Sequence, residues 1–203
     1  MLDIVLYPDP ILRKKCRPLL QGPYLIGDPK DKNLGFGFVD ENGKPINEWL
    51  QKLVADMKET LHKTKYGIGL AAPQVGVDIQ LFIVSIKKDE DPIVAINPTY
   101  GEPRGEMTGE EGCLSIPGVG AEITRPASVL VKGLYLNGDS FQFRAEPTPE
   151  DPNGVLSRVC QHEIDHLNGK LFFERISSTI IRRKIDPALE DLEWRYKRKR
   201  KGK

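Results

Sequence analysis

The chain has 203 residues, 39% hydrophobic and 29% charged, with a formal net charge of +1. That is the balance of an ordinary globular protein long enough to bury a core, read here as one domain over 1–203. It argues against a strongly basic body built for DNA. No apolar run is long enough to span a bilayer, and the first residues lack the basic start and apolar stretch of a secretory signal. The expected setting is the cytoplasm, with no membrane partner and a monomeric chain. Three cysteines make no disulfide framework, and in a reducing compartment a cysteine is better placed as a thiolate ligand.

Residues 3–8 are short and β-prone, and Asp9-Pro10 punctuates them. Across 21–45 the glycines and prolines thicken, which predicts a surface insertion, either a small hairpin with Asn42-Gly43 as its tip or a plain loop. A helix follows, with Asn47 as N-cap and an apolar stripe of Leu50, Leu53 or Val54, Met57 and Leu61. Gly67 is its stop, and His62 sits beside the stripe as a partly exposed residue without a metal role. Strands are predicted at 79–85, 93–97, 122–124, 128–136 and 140–145, the last two joined through Asn137-Gly138. Residues 146–154 read as a loop. A helix from Val155 to Asn168 then stops at Gly169, and Leu171-Phe172-Phe173 reads as one more strand. Asp186-Pro187 opens a last helix, which ends in the basic tail 195–203. Strands in the middle and helices at both ends predict an α+β fold, with antiparallel or mixed strands around a central helix and a C-terminal helix.

That central helix carries His162-Glu163-Ile164-Asp165-His166, with two of the three histidines in the chain. Positions i and i+4 share a helix face, so both imidazoles can hold one metal ion. Glu163 lies about 100° round the helix and can reach a water there without binding the metal. The pattern describes a metal-activated water attacking a carbonyl, and its usual owner is a zinc protease. The third ligand decides between carbonyls. Glu174 comes too soon after His166 for the distal glutamate of such proteases. Cys160 falls about 200° from His162 and reads as a small buried hydrophobe, as does Cys16. Cys113 sits among glycines in Gly109-Glu110-Glu111-Gly112-Cys113-Leu114-Ser115. Alone it reads equally as a turn cysteine, and the two unpaired histidines favour the ligand reading, which leaves one tetrahedral position open. Gly67-Ile68-Gly69-Leu70-Ala71-Ala72-Pro73-Gln74 fails as a dinucleotide loop, lacking the third glycine. Its small residues would let a peptide backbone lie close, and the Gln74 amide could donate to an oxyanion. A plain helix stop with Gln74 at the surface fits that segment equally well when it is taken alone.

Residues 67–74, 111–115 and 161–166 together resemble the three signature motifs of the peptide deformylases, in the family's order, and Tyr7-Pro8-Asp9-Pro10-Ile11-Leu12-Arg13 is similar too. The resemblance covers most of 3–20 and 48–175. It implies Cys113, His162 and His166 as metal ligands, Glu163 as general acid and base, and the Gln74 amide with the Leu114 N–H as oxyanion donors. It implies that the Gly69 backbone pairs with the substrate, and that Ile68, Val155 and Val159 line its pocket. Glu111 and Arg125 match positions that brace the metal loop as an ion pair, and Asp165 joins that supporting set. Arg158 departs from the pattern: it stands one turn before His162, where the family often places an apolar pocket residue. The substrate implied is the N-formylmethionyl end of a nascent peptide. Ligand chemistry alone favours Zn2+. The resemblance implies Fe2+ as the native ion, with Zn2+ or Ni2+ as other occupants. In some members the C-terminal helix docks on the ribosome, a role the basic tail would suit, although a solvated helix end explains that tail equally well. The competing readings are a zinc endoprotease and a non-catalytic binding protein on an inherited fold.

Overall fold

The computed structural model describes residues 1–25, 34–87 and 90–201. Its elements in chain order are β1 (Leu20–Leu25), β2 (Leu34–Val39), α1 (Asn47–Lys63), β3 (Gly69–Ala71), β4 (Leu81–Val84), β5 (Ile93–Cys113), β6 (Ile116–Leu134), β7 (Ser140–Ala145), α2 (Val155–Leu167) and α3 (Thr179–Lys201). Two sheets form, an antiparallel β1–β2 pair and a five-stranded antiparallel sheet in the order β3-β4-β5-β6-β7. The α+β class expected from the sequence is the class observed.

Alternation along the central strands builds two cores. Ala71, Phe82, Val84, Ala95, Val129 and Val131 face α2, where Val159, Cys160, Ile164 and Leu167 meet them. On the other face Leu70, Leu81, Ile83 and Ile96 pack with the α1 stripe. Helices on both faces explain why β4 is apolar at every position. Leu53 and Val54 are both buried, so the α1 stripe is wider than a strict heptad seam. A third cluster joins Tyr7 and Leu12 to Ile116 and Ile123 of β6, Phe172 and Phe173, and Ile185 and Leu189 of α3.

Several boundaries differ from the sequence expectations. Asn47 is the first helical residue and not the cap. Its Oδ1 accepts from the Phe38 N–H at 3.0 Å, a tertiary partner that competes with capping. The 21–45 stretch contains the β1–β2 hairpin, whose connection lies outside the described residues. Asn42-Gly43 turns the chain between β2 and α1 instead, with Gly43 at φ +76°. Phe38 is fully buried in the α1 core, so the insertion is anchored from below.

Residues 122–124 and 128–134 belong to one long strand, β6, which ends two residues short of the expected 136, and β5 pairs with it as far as Cys113. Among the described residues, no third strand pairs with β5 past Ile96. Polar and glycine positions are tolerated there, and the apolar alternation that marks a strand fades. Leu171-Phe172-Phe173 runs into a short 3-10 helix, Phe172–Arg175. The last helix begins at Thr179, eight residues before Pro187, which it carries inside. Asp186 pairs with Arg182 at 3.0 Å in place of capping.

Candidate metal centre

α2 positions the motif, and its boundaries are set by two left-handed glycines. Gly154 (φ +56°) leads in, and Gly169 (φ +68°) turns the chain out against the Arg13 carbonyl. Asp151 caps the start, accepting from the Val155 and Leu156 N–H groups at 2.9 Å each. The helix is almost wholly covered, so His162, Glu163, Asp165 and His166 are all buried.

Cys113 reaches the same point from the sheet. It ends β5 beside a tight turn at Leu114-Ser115, where the ladder shifts register between Gly112 and Cys113. The N-terminal segment fastens this turn to the Gly67–Gln74 stretch: Tyr7 N–H donates to the Ser115 carbonyl and Val5 N–H to the Gln74 carbonyl, both at 2.8 Å.

One ligand atom each from Cys113, His162 and His166 lies within 4.8 Å of the others. Cys113 Sγ is 3.2 Å from His166 Nε2. His162 turns Nδ1 to Glu111 Oε2 at 3.1 Å, which leaves Nε2 for a ligand role. A thiolate with two imidazoles and a fourth direction open to solvent fits a catalytic divalent ion such as Zn2+ or Fe2+. Both histidines of the group are buried, and Cys113 is a partly buried free thiol. His166 Nδ1 is buried without a partner among the described residues.

Glu163 is buried beside this trio, and Oε2 has no hydrogen-bond partner among the described residues. Burial raises its carboxyl to about 7, against the pull of His162 and Arg125. Gly69 makes room for it: a Cβ there would stand 2.3 Å from Glu163 Oε1. Gln74 is buried, not at the surface. Its Oε1 accepts from the Ala71 N–H at 2.8 Å, which aims Nε2 at Cys113 Sγ (3.5 Å) and Ser115 Oγ (3.4 Å). Cys160 is fully buried and its thiol is pushed up to about 12 by burial, as a packing residue's would be. His62 is exposed on α1, outside the ligand group.

Behind the ligands runs a chain of ion pairs. Arg125 is almost fully buried and grips Glu111 with Nε (2.5 Å) and Nη2 (2.8 Å), while its Nη1 donates to Asp165 at 2.8 Å. Burial alone would raise the Glu111 carboxyl, but hydrogen bonds from Arg125 and His162 outweigh it and hold the group well below the usual carboxylate range. Arg175 holds both oxygens of Asp165 at 2.6 Å, Nε donating to the Oδ2 that Arg125 also uses and Nη2 to Oδ1, and it also reaches the Tyr100 hydroxyl. Arg175 has no motif around it in the sequence; ten residues after Asp165, its role is visible only once the 3-10 turn folds it back. Arg158 lies across the groove and bonds to Glu111 as well.

The site opens into a cavity of about 1340 Å³ lined by Ile68, Gly69, Gln74, Cys113, Leu114, Val155, Arg158, Val159, His162 and Glu163, among others. Every catalytic and substrate-side residue expected from the sequence therefore meets at one opening. Arg125, Asp165 and His166 stand behind it.

The model of the polypeptide deformylase family matches residues 39–180. The chain belongs to the polypeptide deformylase family. A deformylase of Hydrogenovibrio crunogenus is 41% identical over 177 residues, covering 87% of this chain and 86% of that one. One from Syntrophobacter fumaroxidans is 37% identical over 197 residues, covering 94% and 97%. A crystal structure of a peptide deformylase from Legionella pneumophila superposes with a TM-score of 0.73 at 33% identity, covering 98% of each chain. The deformylase family is a family of enzymes, and the α+β fold expected from the order of elements is shared with the Legionella structure.

Proposed function

We propose that the chain is a cytoplasmic hydrolase, a single catalytic domain over 1–203, that removes the formyl group from the N-terminal methionine of new polypeptides. The observation that carries this reading is the meeting of Cys113, His162 and His166 beside Glu163 and the Gln74 amide at one open cavity. A divalent ion held by those three ligands would lower the pKa of a water and polarise the formyl oxygen. Glu163, ionised, takes the proton of the attacking water and then delivers it to the departing amine. Gln74 Nε2 and the Leu114 N–H donate to the oxyanion. The Gly69 backbone pairs with the peptide, and Val155, Val159 and Ile68 receive the first side chain.

Family membership favours Fe2+ as the native ion, with Zn2+ or Ni2+ as other occupants. Anaerobic loading with Fe2+ is expected to give higher turnover than Zn2+, and equal turnover would count against iron. The deciding assay uses formyl-Met tripeptides with defined metal. Glu163→Ala should lose at least a factor of about 10²–10⁴ in kcat while keeping its metal. Retained activity would remove Glu163 from the mechanism. Endoproteolysis is disfavoured by Cys113 in place of a distal glutamate, and cleavage of an unformylated peptide would revive it.

The last turns of α3 carry Arg195, Lys197 and Arg198 at the surface, and a charge of this kind suits ribosomal RNA near a nascent chain. Truncation after Trp194 is expected to weaken ribosome cosedimentation at low salt, and unchanged cosedimentation would end that proposal.

A further inference from the structure

Arg158 brings polar chemistry into a pocket that the family resemblance expects to be apolar. It stands on α2 between Val155 and Val159, one turn before His162. Its head crosses to the β5–β6 hairpin. Nη1 donates to Glu111 Oε1 at 2.7 Å and to the Ile123 carbonyl at 2.8 Å, and Nη2 to the Met107 carbonyl at 2.7 Å. A Cβ at Gly109 would lie 3.2 Å from Nη2, 3.3 Å from Cζ and 3.4 Å from Nε. Near-equal distances to three atoms of one plane put that point over the guanidinium face. Gly109 of β5 therefore faces the plane of the head, and a side chain there would crowd it.

Three tethers and a stacked face fix the head, but they do not use it up. A guanidinium carries five N–H donors. Nε–H and the second Nη2 hydrogen have no protein acceptor among the described residues, while Arg158 lines the cavity. Glu111 and Asp165 are shared among three guanidiniums, on Arg125, Arg158 and Arg175, and Glu163 adds a carboxylate at the same cavity.

We propose that Arg158 is a specificity-determining residue: it makes the pocket for the first side chain a hydrogen-bond donor, so that an oxidised methionine, the sulfoxide, is accepted beside methionine. This rests on the deformylase reading above. A sulfoxide adds one strongly accepting oxygen to the methionine side chain. An apolar wall would strip water from that oxygen and offer nothing back. Arg158 offers a charged donor whose position is already set, so little side-chain freedom is lost on binding.

The test compares kcat/KM for formyl-Met, formyl-methionine-sulfoxide and formyl-norleucine tripeptides, using the full chain with one defined metal. Turnover of the formyl-Met peptide checks the deformylase reading. The sulfoxide-to-norleucine ratio checks the proposal, and losses common to both substrates cancel in it. Arg158→Leu is expected to lower that ratio about tenfold or more. An unchanged ratio overturns the proposal. Product inhibition of the wild-type enzyme gives a second measurement that needs no variant: deformylated peptides beginning with the sulfoxide should inhibit more tightly than those beginning with norleucine. Equal or reversed inhibition constants overturn it as well.

Discussion

At the scale of single residues, space and charge around Glu163 make the sharpest demands. Gly69 leaves no room for even a methyl group, since a Cβ would stand 2.3 Å from Glu163 Oε1 and 2.7 Å from Val159 Cγ1. Gly69→Ala is therefore expected to displace Glu163 and reduce kcat/KM about a hundredfold. A variant with full activity would show that the carboxylate tolerates another position. The pH profile tests the same group. Glu163 must be ionised to accept a proton, so activity is present above its pKa and lost below it. Burial sets that pKa at about 7, and a cation at the three ligands pulls it lower. The acidic limb of kcat/KM should fall at or below 7, and a limb above 7 would point to another base. The motif named Glu163, His162 and His166 from spacing alone, because helical periodicity is a local property. The Ala71 N–H, three residues before it, orients the Gln74 side chain, but its burial against Cys113 and Ser115 comes from a distant part of the chain that no local signal shows.

At the scale of elements, α2 depends on its glycine stop. Gly169 has φ +68°, and a Cβ there would come within 2.4 Å of the Arg13 carbonyl oxygen. Gly169→Ala should cost about 1–3 kcal/mol in denaturant unfolding, from left-handed strain and the clash together. A loss of a few tenths would mean that the N-terminal segment yields easily. Gly169 was readable as a stop because helix termination is local. The β5–β6 hairpin was not readable along its length. Past Ile96 the β5 strand is mostly exposed and is held by its cross-strand hydrogen bonds to the half-buried β6, and backbone pairing leaves little trace in composition. Pro187 misled in the same way. A proline at N1 is a good local signal, but packing of Ile185 and Leu189 carries the helix through it.

At the scale of the whole molecule, Arg125 joins the sheet to α2 through Glu111 and Asp165. Breaking such a buried network by removing one partner typically costs about 3–5 kcal/mol. Arg125→Ala should lower stability and loosen metal retention against a chelator, and unchanged metal content would assign Arg125 a packing role alone. Glu111 couples this network to pH. Its folded pKa lies below the unfolded value near 4.5, so the unfolded chain takes up the proton first. The stability Glu111 contributes is present above that value and is lost as pH falls below it. For the metal-free protein, the stability gap between wild type and Glu111→Gln should be smaller at about pH 3 than at about pH 6. A gap independent of pH would show that the charge of Glu111 is not what stabilises.

By itself the sequence determined the elements whose signals are local: the α1 stripe, the α2 motif with its stop, the Asn137-Gly138 turn and the glycine segments around Cys113 and Gln74. Periodicity and turn chemistry act over a few residues, so they survive in one dimension. Only the tertiary structure decided what those segments do together. It set Cys113 within ligand distance of α2, brought Arg175 back onto Asp165, buried Gln74 facing the thiol and laid Arg158 across the groove. Each of these joins segments that lie apart in the chain: α2 with the β5–β6 hairpin for Cys113 and Arg158, the Gly67–Gln74 stretch with β5 for Gln74, and the 3-10 turn with α2 for Arg175. Their relative placement is a property of the packed core and of buried charges that must find partners, and no short window of sequence contains it.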